Sequence, residues 1–263
     1  LNDPGDGSDY SRAHTLYHPI LRNFLEKFGY YDIFLIDAVT GDMLYSVFKE
    51  VDFATNLSRG IYERTNFGKV VKKAMESTDK NFVQLIDFEP YDPSYHAPAS
   101  FIACPIYEGD EKTGILVFQM PINKINQILT GNTNWREDGL GESGETFIVG
   151  SDYKFRSISR ELIENPAAHL SSLKRLKYNE TIIQQVKKMQ TNILLEEIKL
   201  ESVAKALNGL TGTQMERNNL GIDLLCSFAP LDIQDVHWII MSTMKEDEAS
   251  MQINTLREES SNG

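Results

Sequence analysis

Long apolar runs are missing from this chain. No stretch approaches the roughly 20 apolar residues that cross a bilayer as a helix, and no signal peptide is visible. The chain starts at Leu1, without Met, and is read as an excised piece whose flanks could carry membrane helices. Cysteine is scarce: Cys104 and Cys226 are too few for a disulfide framework and too far apart for a zinc motif. Each sits in an apolar run (FIACPI, LLCSF), where a thiol behaves as a small buried hydrophobe. Low cysteine usage fits a reducing cytoplasm or a periplasm alike. Basic residues are outnumbered: 26 Lys and Arg against 38 Asp and Glu leave a net charge of −12. That balance argues against nucleic acid and against an anionic membrane surface, both of which need clustered cations. Catalytic signatures are absent too: no GxSxG elbow, no P-loop, no HExxH and no Gly-rich dinucleotide loop after a strand. GLGESGE precedes a strand instead of joining strand to helix. His14, His18, His96, His169 and His237 have no ligand spacing, so no metal or cofactor is expected.

What is present is a globular composition, 41% hydrophobic with 10% aromatic residues, in 263 residues, enough for two ordinary domains. The opening LNDPGDGSDYSR reads as poorly ordered. From Ala13 to Phe28 the residues Leu16, Ile20, Leu21, Phe24, Leu25 and Phe28 recur at helical spacing, with Pro19 near the first turn and Gly29 as a stop. The period then changes. YDIFLID, a turn at Val39–Asp42 and MLYSVFKEVDF make a hairpin. A polar loop (ATNLSRGIYERTNFG), a helix over 69–76, and strands over 82–88, 100–106 and 114–120 follow, and then a helical INKINQIL. Gly131–Gly144 carries four glycines and reads as a linker. Beyond it the plan restarts: ETFIVG and FRSISR form a hairpin, 161–208 is helical in period, and strands span 222–228 and 237–244. FLIDAVTGDMLYSV corresponds to FIVGSDYKFRSIS, and FIACPIYEGDEKTGILVFQM to LLCSFAPLDIQDVHWIIMSTM, with Pro105 matching Pro230. This is a repeat of architecture. It predicts an α+β fold: an N-terminal helix followed by two tandem domains, each an antiparallel sheet flanked by helices.

The stretches YYDIFLIDAVTGDMLYSVFKEVDFATNL, DFEPYDPSYHAPASFIACPIYEG and GLGESGETFIVGSDYKFRSISR resemble double Cache sensor domains, in the right order over about residues 15–250. The resemblance implies the extracytoplasmic part of a bacterial chemoreceptor, adenylate or guanylate cyclase or sensor kinase, which signals across the membrane as a homodimer. It implies residues 1–29 as a start and N-terminal helix, a membrane-distal Cache domain over 30–130, a linker over 131–144, a membrane-proximal domain over 145–250, and a tail over 251–263 towards a membrane helix. The distal domain would hold a small-molecule ligand, with no catalysis in this piece. The usual pattern of the amino-acid-binding members is not found, so the ligand stays open among amino acid, carboxylate and amine. The alternative class is a cytoplasmic PAS-type regulatory or interaction module.

Within the distal half, Tyr45, Val47 and Lys49 share one strand face. Tyr45 and Lys49 suit a pocket wall with a cationic anchor, or else a half-buried Tyr beside an edge-strand Lys that blunts aggregation. Asp52, Tyr62 and Arg64 lie in the following loop and could close over a ligand. Asp87 and Tyr91 end the next strand, where a carboxylate could receive an amine, although Asp87 would equally cap a turn. Ala97, Ala99 and Ala103 leave room beside the sheet. In the second half, Arg156 and Arg160 could clamp an anion, but pairing with acidic neighbours is the favoured role.

Overall fold

The computed structural model describes residues 5–251, in two compact units. The first runs to Ile122 and includes Gln234–Val236; the second takes Asn123–Ile233 and the chain from His237 on. Residues 1–4 of the expected disordered start, and the expected tail apart from Met251, lie outside the described residues.

The first unit opens with α1 (Asp9–Phe28). Ser8 caps it by accepting from Ser11 N–H, and Gly29, at φ 76°, closes it with an N–H to the Leu25 carbonyl at 2.7 Å. Because the cap lies at Ser8, the helix starts four residues earlier than the apolar spacing predicts, and Pro19 falls inside it instead of near the first turn. Ser11, His14, His18 and Leu25 form its buried stripe, while Leu16, Ile20, Phe24 and Phe28 are 40–62% exposed. Strands β1 (Asp32–Asp37) and β2 (Met43–Ser46) form the expected hairpin, its turn held by Asp37 Oδ1, which accepts from Val39 and Thr40 N–H. Helix α2 (Asn66–Glu76) starts at the Thr65 cap, three residues before the expected 69. It is followed by β3 (Gln84–Tyr91), a short 3₁₀ turn (Asp92–Ser94), β4 (Ala97–Glu108) and β5 (Glu111–Gln119). The sheet is fully antiparallel in the order β2-β1-β5-β4-β3.

Strand alternation sorts this sheet into two apolar faces. Phe34, Ile36, Tyr91, Phe101 and Val117 pack with Phe67, Val70 and Val71 of α2 in the main core. Ile33, Tyr45 and Val47 turn the other way and pack on Leu21 and Leu25 of α1. A bulge decides the second set. Leu35 pairs with Tyr45 but Ile36 pairs with Met43, so Leu44 is an extra residue and Met43 and Tyr45 end on opposite faces.

The second unit comprises α3 (Ile122–Leu129), β6 (Glu145–Gly150), α4 (Arg160–Glu164), α5 (Pro166–Arg175), α6 (Glu180–Met189), α7 (Glu201–Leu207), β7 (Gly212–Arg217), β8 (Asp223–Pro230) and β9 (Trp238–Lys245). Its antiparallel sheet has the order β6-β9-β8-β7. Phe147, Val149, Cys226, Phe228, Ile239 and Met241 pack against Leu200, Val203 and Ala206. The expected FRSISR strand reduces to a single bridge between Val149 and Phe155. Arg156 folds back instead: its guanidinium reaches Asp152 at 2.9 Å and lies where a Cβ on Gly150 would stand. Arg160 pairs with Glu164, donates to the Gly141 and Gly144 carbonyls and covers the ring of buried Trp135. Both arginines therefore serve local packing. The helical stretch expected over 161–208 is broken by Pro166 at a helix start, by the Asn179 cap and by Gln190 in the left-handed region.

Candidate functional site

The α2 face of the first sheet carries buried acids where its strands end. Asp32 opens β1 and Gln119 closes β5, and the two are directly paired across the ladder. Two residues further along, Phe34 and Val117 lie in the main core, so Asp32 and Gln119 point into the same side. The segment after β2 comes back over this corner. Lys49 and Ala54 have φ of 52° and 61°, and Asp52 O accepts from Thr55 N and Oγ1 at 3.1 and 2.6 Å. Those turns fix the backbone of Asp52 and direct its side chain inward, where it is 1% exposed.

Hydrogen bonding at this corner is incomplete. Tyr91 donates to Asp52 Oδ2 at 2.6 Å, and Asp32 Oδ1 accepts from Ile33 and Val47 N–H at 2.6 and 2.9 Å. The remaining oxygens, Asp52 Oδ1, Asp32 Oδ2 and Gln119 Oε1, are buried and receive no hydrogen bond from the protein. The Gln119 amide donates weakly to Ser94 at 3.5 Å. Each such acceptor costs about 1–3 kcal/mol if nothing donates to it. Burial pushes the Asp32 carboxyl up to about 7; the N–H groups of Ile33, Val47 and Phe48 pull it back, and the charge of Asp52 adds to the rise. Burial raises Asp52 and Glu50 as well, each opposed by a tyrosine hydroxyl, Tyr91 and Tyr31 respectively. Three carboxyls thus share one electrostatic neighbourhood. A group with several N–H donors and a positive charge is the chemical complement of that arrangement.

Of the residues singled out from sequence, Asp52, Tyr62 and Tyr91 come together here, with the two tyrosine rings 6.0 Å apart. Tyr45 and Lys49 do not join them. The Leu44 bulge sends Tyr45 to the α1 face, where its hydroxyl meets His18 Nδ1 at 2.8 Å. The Lys49 amine meets His14 Nε2 at 2.7 Å and lies 5.3 Å from the Tyr45 ring. Lys49 is therefore a strut to α1 in place of the expected pocket anchor. Arg64 stands out in solvent, its side chain 93% exposed, 3.9 Å from Glu63. Asp87 sits at the β3 bulge, where its Oδ1 accepts from Phe88 N–H and its carbonyl accepts from Asn66. Asp32, Glu50, Ser94 and Gln119 were not foreseen. The signal for Asp32 lay in YDIFLID: a carboxylate two residues before Phe34 shares the strand face of Phe34 and Ile36.

No protein-family model matches the sequence, and no curated protein matches it. Solved structures do. The extracellular domain of a protein described as the histidine kinase vpHK1S-Z8 matches with a TM-score of 0.54 at 12% identity, over 93% of this chain and 79% of that one. The ligand-binding domain of the Pseudomonas aeruginosa PAO1 amino acid chemoreceptor PctB, in complex with L-Gln, matches with a TM-score of 0.52 at 15% identity, over 97% and 84%. That of PctC from the same organism, in complex with GABA, matches with a TM-score of 0.51 at 12% identity, over 93% and 85%. The chain shares the mixed fold of these domains, two antiparallel sheets with their helices. At such identities the likeness is one of fold. No helix of the described residues is long and apolar enough to cross a membrane.

Proposed function

We propose that this chain is the extracytoplasmic ligand-sensing module of a transmembrane signalling receptor. In this reading residues 30–130 are the membrane-distal Cache domain, 131–144 the linker and 145–250 the membrane-proximal domain, and the full-length receptor works as a homodimer. The ligand is a small molecule bound through an ammonium group, between the first sheet and the segment after β2. Buried Asp52 Oδ1, Asp32 Oδ2 and Gln119 Oε1, with no donor from the protein, carry this reading: an ammonium has three N–H donors and a charge that two neighbouring carboxylates need. The fold supports it, since solved relatives in fold are ligand-binding domains of chemoreceptors and the extracellular domain of a protein described as a histidine kinase. Two of these neighbours are in complex with amine-bearing molecules, GABA and L-Gln.

Calorimetric titration of amines, amino acids and amine-free carboxylates tests the assignment. An amine or amino acid is expected to bind, and Asp52→Asn to weaken it by roughly 10- to 100-fold, the equivalent of about 1.5–3 kcal/mol for one charge-assisted contact. Binding only of amine-free carboxylates, or full affinity in Asp52→Asn, would overturn it.

A further inference from the structure

The second unit repeats the corner at which the first unit gathers its acids. Asp32 is the first residue of β1 and pairs with Gln119; Glu145 is the first residue of β6 and pairs with Thr243. In both units the next residue on the same face is a core phenylalanine, Phe34 or Phe147. The register is therefore the same: acid on the first strand, polar partner on the strand beside it, aromatic floor two residues on.

A cavity of about 140 Å³ opens at Glu145, room for several water-sized groups. Phe147, Leu176, Leu200, Leu220 and Leu224 give it an apolar wall, and Thr243 adds a hydroxyl. Glu145 is half-buried, and its Oε2 accepts from Arg160 N–H at 2.9 Å. The cations nearby are engaged with other acids. The Arg160 guanidinium pairs with Glu164, and the two ring nitrogens of His169 face Glu161 and Glu196 at 3.2 and 2.7 Å. Against the Arg160 guanidinium and the His169 ring stand four carboxyl groups, Glu145, Glu161, Glu164 and Glu196, so acidic groups outnumber basic ones at this corner. Lys199 and Glu197 also line the cavity and pair with each other at 3.2 Å, one charge of each sign. Burial also raises the Glu145 carboxyl, against the pull of the Arg160 N–H and of the His169 and Arg160 charges, with Glu161 adding to the rise; a further cation beside it would relieve the remaining cost.

We infer that the second unit holds a site of its own, in which Glu145 receives the ammonium of a small primary amine whose short apolar body lies against Phe147, Leu200 and Leu220. Glu145 is bonded to a backbone N–H on one oxygen, which orients the carboxylate, and the cavity is too small for a large ligand. This site stands apart from the ammonium site proposed in the first unit and does not depend on it.

Propylammonium is the probe, with butyrate as the anion of similar shape, titrated into the 263-residue chain carrying Asp52→Asn and ¹³C-labelled leucine methyls. The expected result is saturable shifts at Leu200, Leu220 and Leu224 with propylammonium and none with butyrate. Glu145→Gln, which keeps the acceptor for Arg160 N–H, should weaken this binding at least tenfold, and Leu220→Trp should abolish it by filling the cavity. Affinity within twofold in Glu145→Gln would overturn the inference, as would equal shifts with butyrate. Should Glu145→Gln not fold, the parent titration decides: no saturable shift at those methyls refutes the site. A first-unit failure looks different, because it appears as an Asp52→Asn substitution without effect on binding elsewhere.

Discussion

Tyr91 donates its phenolic hydrogen to Asp52 at 2.6 Å, and neither side chain reaches solvent. Tyr91 comes from the end of β3 and Asp52 from a turn 39 residues earlier in the chain, so one hydrogen bond joins the sheet to the segment that covers it. The other Asp52 oxygen has no protein donor. Tyr91→Phe would leave the whole carboxyl without a donor and is expected to cost about 1–3 kcal/mol, read from urea unfolding. Asp52→Asn, which keeps an acceptor for Tyr91 and loses the buried charge, should cost less. Equal stability of Tyr91→Phe and the parent protein would show that the bond contributes nothing.

The acids of this corner set a pH dependence. The folded state holds the Asp32 proton up to about pH 7, against an ordinary value of 3.8. Between those values the native protein binds more protons than the unfolded chain, so stability falls as pH rises from about 4 to 7, by up to about 1.4 kcal/mol per pH unit from this group. Asp52 and Glu50, raised too, act in the same direction. Asp32→Asn should flatten the slope of unfolding free energy between about pH 4 and 7. Ammonium binding should strengthen over the same range, with proton release detectable as a buffer-dependent heat in calorimetry. An unchanged slope in Asp32→Asn would assign the dependence to other groups.

On the opposite face, α1 should loosen in acid. His18 is held below its ordinary value by burial, with the charges of His14, Lys49 and Arg22 adding to the effect. The unfolded chain therefore binds this proton first, and the stability it contributes is lost as pH falls through the ordinary histidine range. Hydrogen exchange at 14–25 should be faster at pH 5.5 than at pH 7.5, relative to the intrinsic rates. Lys49→Met, which removes one neighbouring charge, should shrink that difference. A difference as large in Lys49→Met as in the parent would remove Lys49 from the account.

The thiols lie one in each unit and both are free, Cys104 half-buried on β4 and Cys226 buried on β8. Burial raises Cys104 and pushes Cys226 up to about 12, which leaves little thiolate at neutral pH. Native protein should label slowly, at Cys104 first, and take up two equivalents of a maleimide only in denaturant. Mobility in gels should be the same with and without reductant. Rapid native labelling of Cys226 would place β8 at the surface.

Hairpins and face alternation were open to reading from sequence; bulges and turns were not. YDIFLID and ETFIVG announced β1 and β6 because apolar runs between turn residues have few other folds. The edge strand β7 (GTQMER) was missed because its side chains alternate between half-buried and exposed and it contains no apolar run. Tyr45 and Val47 were correctly put on one face, but nothing in MLYSVFKE marks Leu44 as the extra residue that turns this face towards α1. Lys49 was read as part of that strand, whereas its positive φ ends regularity and hands the following segment to tight turns. Asp52 and Tyr91 were both singled out, but their meeting depends on loop geometry that composition does not encode. Asp32 and Gln119 escaped notice because their partnership across β1 and β5 needs the register of two strands whose paired ends lie 87 positions apart in the chain.

Lys49 and Asp52 are separated by two residues, so their Cα atoms can never be more than about 10 Å apart. One end of this short tether holds His14 on α1, and the other holds Tyr91 beneath the sheet corner. A tether of that length has little slack. A shift of a few ångströms at Asp52 is taken up partly by the turns between them, and the remainder must be borne by the amine that grips the helix. Four consecutive residues thus join the acidic corner to α1 along the backbone, with a side-chain contact at each end.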